Sequence, residues 1–204
     1  VLSGIVLSAS LIIVFTLVTP KADAPVTTYD IPEELKKLLE SPEPVELPFG
    51  GRSVIPDYRF VALYGSPEYP SLGALGEQPL ADSITRVKNL TAEYQILSPE
   101  KIIPTFEIIT TVASAEPTDN QDYSREIDPA KLKPIIDTAK EQGIYVVLDL
   151  QPGRTDFLSQ AKIYESLLLE PHVGLALDPE WRLQTPQARH LKSVGSVSAD
   201  EINQ

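Results

Sequence analysis

A chain of 204 residues has room for one domain and an extension. Its 29 acidic against 17 basic residues leave a net charge of -12, which excludes the basic footprint that nucleic acids and anionic membrane surfaces require. With no cysteine it has neither disulfides nor thiolate metal sites, and with only His172 and His190 a multi-histidine centre is all but excluded, so neither metal nor cofactor is expected.

The chain contains no methionine and reads as a processed product or as a fragment of a longer protein. Residues 1–20, VLSGIVLSASLIIVFTLVTP, are uncharged and mostly apolar. About 20 such residues span a bilayer as a helix, whereas the apolar core of a signal peptide runs to roughly 7–15. The run is read as a transmembrane anchor. The alternatives are a cleaved signal, with ADA at Ala22–Ala24 as the small-residue site, and a buried helix. An anchor or a signal places the remainder outside the cytoplasm, so the expected location is the cell membrane with an extracytoplasmic domain, or secretion.

Residues 21–57 carry Pro25, Pro32, Pro42, Pro44, Pro48 and Pro56. Fixed φ angles and lost donors make this segment a semi-extended spacer. One short helix is expected in it, capped by Asp30, with Glu33 three positions on and Leu35, Leu38 and Leu39 on one face.

From Tyr58 to the end, apolar strands alternate with amphipathic segments. The strands are RFVALYG (59–65), KIIPTFEIITTVA (101–113), IYVVLDLQPG (144–153) and HVGLALDPEW (172–181). The segments between them are QPLADSITRVKNLTAEYQILS, DPAKLKPIIDTAKEQG and DFLSQAKIYESLLLE. In the second of these, Asp128 is placed to cap, Pro129 to open and Gly143 to end a helix. Four strand–helix units in series define an α/β fold with a parallel sheet and right-handed crossovers. A nucleotide-binding open sheet calls for a glycine-rich turn after the first strand, and YGSPEYPSLGALG holds neither G-x-G-x-x-G nor a phosphate-binding lysine motif. Residues 58–204 are therefore read as the first four βα units of a (β/α)8 TIM-barrel-like domain, a fold that takes about 250 residues when complete.

Alternation assigns the faces, because every second residue of a strand points the same way. Val61, Leu63, Ile102, Phe106, Ile108, Ile144, Val146, Leu148, Leu150, Val173, Leu175 and Leu177 make uniformly apolar faces suited to lie under helices. The opposite faces gain polar residues late in each strand: Tyr64, Glu107, Asp149 with Gln151, and Asp178 with Glu180. That is the C-terminal rim, where barrel enzymes carry their chemistry. Carboxylates crowded in one partly dry mouth acquire separated pKa values, and one protonated beside one ionised carboxyl is what glycoside cleavage uses. Glu180, Asp178, Asp149 and Glu107 are the candidate catalytic residues; Tyr64, Gln151, Arg154 and Trp181 are the candidate substrate-binding residues. Plainer roles compete for several of them. Asp178 and Glu180 suit a helix cap, Asp149 suits a partner for Arg154, and Trp181 suits packing. A carboxylate within so apolar a strand as that of Glu107 calls for a bonded partner.

YVVLDLQPGRTDF followed by PHVGLALDPEWRL resembles a group of exported actinobacterial proteins with a glycoside-hydrolase-like barrel, over residues 58–204. LALDPEW also resembles the end of the fourth-strand motif of chitinase-type glycosidases, D-x-x-D-x-D-x-E. That resemblance implies Glu180 as acid and Asp178 as its assistant, with Val173 and Ala176 standing where the motif has its earlier aspartates. The expectation is a membrane-anchored or secreted glycosidase-like hydrolase acting on envelope or extracellular glycan. The alternative is a non-catalytic envelope protein that keeps the barrel and binds glycan or a protein partner.

Overall fold

The computed structural model describes residues 46–204, except Leu191. The apolar run 1–20, most of the spacer and the helix expected after Asp30 lie outside the described residues. Among the described residues no helix is long and apolar enough to cross a membrane.

Five strands form one sheet: β1 (Tyr58–Gly65), β2 (Lys101–Ala113), β3 (Ser124–Glu126), β4 (Tyr145–Leu150) and β5 (Val173–Leu177). Helix α1 (Leu80–Gln95) connects β1 to β2, α2 (Pro129–Glu141) leads into β4, and α3 (Phe157–Ile163) with α4 (Glu165–Leu168) leads into β5. A last short helix, α5, covers Ala199–Ile202. The order across the sheet is β1-β2-β4-β5, all parallel. This order never reverses. Right-handed crossovers between successive neighbours all pass over one face, whereas a doubly wound sheet needs a switch point to cover both.

The apolar face is the one that is covered. Leu63, Phe106, Ile108, Val146, Leu148 and Leu150 pack with Val87 of α1, with Leu132, Ile136 and Ala139 of α2, and with Phe157, Tyr164 and Leu167 beyond β4. Each of the Val, Leu, Ile and Phe side chains among them contributes about 1.5–3 kcal/mol on burial. Leu175, on the edge strand β5, is 43% exposed. The α2 termini form as their residues dictate. Asp128 accepts from the Ala130 amide, and Gly143 takes a left-handed φ of 66°. The Ile144 and Gly143 amides then return to the Ala139 and Lys140 carbonyls, closing the helix as a Schellman motif.

Four differences from the sequence reading stand out. Among the described residues the sheet is open, with β1 and β5 as its edges. The strands expected over 144–153 and 172–181 are shorter, because Pro152 and Pro179 follow their last paired residues and donate no hydrogen bond. The third difference is β3, which pairs antiparallel with Thr111–Ala113 of β2 just past the end of β1. It follows a β-bulge: Ile109 pairs with Asp149 but Thr111 with Leu150, which leaves Thr110 as the extra residue. The Thr110 carbonyl finds other donors, the Ile127 amide at 3.0 Å and the Tyr164 hydroxyl at 3.3 Å.

Finally, the packed fold starts before Tyr58. Residues 47–51 form a turn with Leu47 N–H to Gly51 O at 2.8 Å and Gly50 N–H to Leu47 O at 2.9 Å. Phe49 stands edge-on to Tyr58, Phe60 and Tyr145, and Phe60 stacks on Tyr145 at 4.9 Å between centroids. These rings make an aromatic floor at the N-terminal end of the mixed face.

Candidate functional site

Strand register brings the polar residues of the mixed face together. Tyr64 of β1 pairs with Glu107 of β2, which pairs with Val147 of β4; one step further on, Ile109 pairs with Asp149 and Asp149 with Ala176. The Asp178 amide extends the ladder by donating to the Leu150 carbonyl at 3.1 Å. Tyr64, Glu107, Asp149, Gln151 and Asp178 therefore gather at the C-terminal ends of the parallel strands.

Asp149 lies at the centre and is only 1% exposed. Its Oδ2 accepts from the Tyr64 hydroxyl at 3.1 Å, and its Oδ1 is buried with no hydrogen-bond partner among the described residues. Burial is the main cause that pushes the Asp149 carboxyl up to about 7. The charge of Asp178 adds to the rise, while the Tyr64 hydrogen bond opposes it. Asp178 is raised to about 6, by burial first and then by Glu180, against a hydrogen bond from Gln151. Burial alone raises Glu107. The Tyr64 hydroxyl is raised as well, through burial and then the neighbouring Asp149. Desolvation thus leads everywhere, with mutual repulsion of the acids behind it. The bonded partner expected for Glu107 is absent among the described residues; its neighbours are the other acids of the mouth.

A buried polar network fixes Gln151. Its Oε1 accepts from the Ala113 amide at 3.0 Å, which orients the amide nitrogen toward Asp178. The Gln151 backbone amide donates to Thr111 Oγ1 at 2.7 Å, and its backbone carbonyl accepts from Ser124 Oγ at 2.8 Å. Gln160 of α3 closes the circuit, accepting from Thr111 Oγ1 and donating to Ser124 Oγ, both at 2.9 Å. Sequence reasoning singled out Gln151 but missed Thr111, Ser124 and Gln160. All three are fully or almost fully buried polar residues whose alignment depends on the bulge and on β3, which no local pattern announces.

The remaining candidates lie apart from this centre. Glu180 is exposed on the 3-10 turn Pro179–Trp181, close enough for its charge to act on Asp149 and Asp178. Trp181 stands edge-on to His190 at 5.4 Å. That ring is itself anchored, with Nδ1 2.7 Å from the Ser114 carbonyl and Nε2 3.2 Å from that of Trp181. Arg154 stacks over Tyr123 at 3.9 Å and donates to the Pro186 carbonyl at 2.8 Å. Neither Trp181 nor Arg154 is brought to the carboxylates; both hold the loops that follow β4 and β5. Asp149 accordingly has a tyrosine, not Arg154, as its partner. Among the described residues no group of three or more acids or histidines has the geometry to hold a metal ion.

No protein-family model, no curated protein and no solved structure matches the chain.

Proposed function

We propose that the protein is a glycosidase-like hydrolase whose mouth works by carboxylate acid–base chemistry on envelope or extracellular glycan. The observation that carries this reading is the juxtaposition of Asp149 and Asp178 at neighbouring strand ends, both with carboxyls raised into the range of 6 to 7. General acids work best with a pKa near the operating pH. Asp178 is partly buried and keeps its proton to about 6, which suits it to protonate a leaving oxygen. Glu180 at the rim is the second carboxylate. The deeper Asp149 holds its proton to about 7 and so lies uncharged beside Asp178 in the range where that acid works, Glu107 lines the mouth beside them, and Tyr64 and Gln151 hold the two aspartates in place. Assigning the proton to Asp178 rather than Glu180 departs from the chitinase-type pattern and follows the burial.

The finer architecture in this proposal is the first half of a (β/α)8 barrel. Its support is the unreversed strand order, the helices on one face and the polar residues on the other. The apolar run 1–20 supports an anchored or exported protein, with the mouth outside the cytoplasm. A non-catalytic glycan- or protein-binding role is the second reading.

The test is release of reducing ends from a panel of cell-wall and extracellular glycans by the full chain. Turnover that falls about 10²–10⁴-fold in Asp178→Asn, the range for loss of a general acid, supports the enzyme. Binding of a glycan without turnover selects the second reading.

A further inference from the structure

Three acids face this mouth, and among the described residues no cation answers them. No ion pair among the described residues involves Glu107, Asp149 or Asp178. Asp149 is the group for which this matters most. It is almost wholly buried, its Oδ2 is engaged by Tyr64, and its Oδ1 has no donor among the described residues. A buried acceptor left unpaired costs free energy, more so when it carries charge, so a ligand that supplies the missing donor gains that energy on binding. The same positions do not converge as a metal chelate does. What fits is a cation whose donors diverge to separate acceptors. An ammonium has three such N–H groups and makes short, charge-assisted bonds to carboxylates.

We infer that the mouth selects glycans bearing a free amino group, seating the ammonium of an amino sugar on Asp149 with Glu107 and Asp178 beside it. Tyr64, 41% exposed, is the side chain that already donates to Asp149. The ammonium competes with its hydroxyl for the same carboxylate. An acetylated amine has one neutral N–H and a carbonyl, which adds an acceptor to a mouth already crowded with acceptors. The raised carboxyl of Asp149 gives the interaction a signature, because an ammonium favours the ionised form and expels the proton.

The inference rests on the reading of this mouth as a glycan site, and the experiment separates the two. The full chain is titrated calorimetrically at pH 6 with a tetramer of β-1,4-linked glucosamine and with its N-acetylated counterpart, in two buffers of different ionisation enthalpy. The expected result is at least about tenfold tighter binding of the amine form, accompanied by proton release, the affinity ratio following from one added charge-assisted bond. Tyr64→Phe should tighten amine binding, and Asp149→Asn should abolish the preference. Equal or tighter binding of the acetylated tetramer overturns the inference, as does a preference that survives in folded Asp149→Asn. If Asp149→Asn does not fold, the wild-type pair of titrations decides alone. Hydrolysis of acetylated glycan without amine preference removes this inference and leaves the glycosidase reading. Amine preference with no hydrolysis of either glycan does the reverse.

Discussion

The Tyr64 hydroxyl and the Asp149 carboxylate meet at 3.1 Å although β2 lies between their strands. The contact bridges over Glu107 and Ile109, so three strands contribute to one small polar volume. Among the described residues a tyrosine is the only hydrogen-bond partner of a carboxyl that is otherwise buried and repelled by its neighbours. This arrangement opposes stability at neutral pH, and the cost can be measured.

Because the folded pKa of Asp149 lies above its unfolded value, the native state binds more protons than the unfolded chain between pH 4 and pH 7. Stability is therefore lost as pH rises through that window, and the loss is complete above about 7. Asp149→Asn cannot ionise and escapes it. The variant should be more stable than wild type by up to about 4 kcal/mol at pH 8, with the advantage shrinking toward pH 4. Denaturant melts at pH 4, 6 and 8 check this, and a pH-independent difference would contradict the assignment.

Gln151→Leu removes the donor to Asp178 and strands the Ala113 amide, while the backbone bonds of residue 151 to Thr111 and Ser124 remain. We expect a loss of about 1–3 kcal/mol from the unsatisfied buried groups. The Asp178 carboxyl should rise above about 6, since the hydrogen bond that opposed the rise is gone. Carbon-detected NMR titration of the aspartate carboxyls reads the shift directly.

Two glycines with nearly the same φ should respond differently to alanine. Gly143 has φ 66° and open space around an added Cβ, so Gly143→Ala should cost only the left-handed penalty, about 1–2 kcal/mol. Gly153 has φ 63°, but its Cβ would lie 2.3 Å from the Asp122 carbonyl oxygen. Rigid backbone cannot yield cheaply there, so Gly153→Ala should lose clearly more, read as a larger drop in denaturation midpoint. Equal losses would show that the loop carrying Asp122 moves freely.

A chain beginning at Tyr58 should be less stable than one beginning at Glu46. The shorter chain lacks Phe49, two of whose neighbours, Phe60 and Tyr145, face the mixed side of the sheet, and the carbonyls that accept from the Tyr58 hydroxyl and the Lys101 ammonium. Phe49→Ala in the full chain should lose about 1–2 kcal/mol, less than a fully buried phenylalanine. Thermal melts of the two chain lengths and the point variant check the boundary.

Much of the fold was legible because it obeys local rules. Period-2 alternation assigned Leu63, Phe106, Ile108, Val146, Leu148 and Leu150 to the helix-covered face, and the signals at Asp128, Pro129 and Gly143 bounded α2. The same alternation brought Tyr64, Glu107, Asp149 and Asp178 to one rim. It failed where partners distant in sequence decide. The bulge at Thr110 depends on how β2 meets β4, β3 on a strand available past the end of β1, and the aromatic floor on a turn read as spacer. Trp181 and Arg154 looked like ligands for sugar or carboxylate because single residues do not reveal that His190 and Tyr123 claim them first.

The ring of Phe49 gives the mixed face a sense of direction. On the proposed reading, a guest arriving at the C-terminal rim meets oxygen first, at Asp178 and Asp149 and then at Glu107 one step deeper, with the rings of Phe60, Tyr145 and Phe49 below. Depth along the strands then acts as a ruler. On the same reading a polar end group stops between the levels of Asp149 and Glu107, and whatever reaches below them meets aromatic rings instead of oxygen.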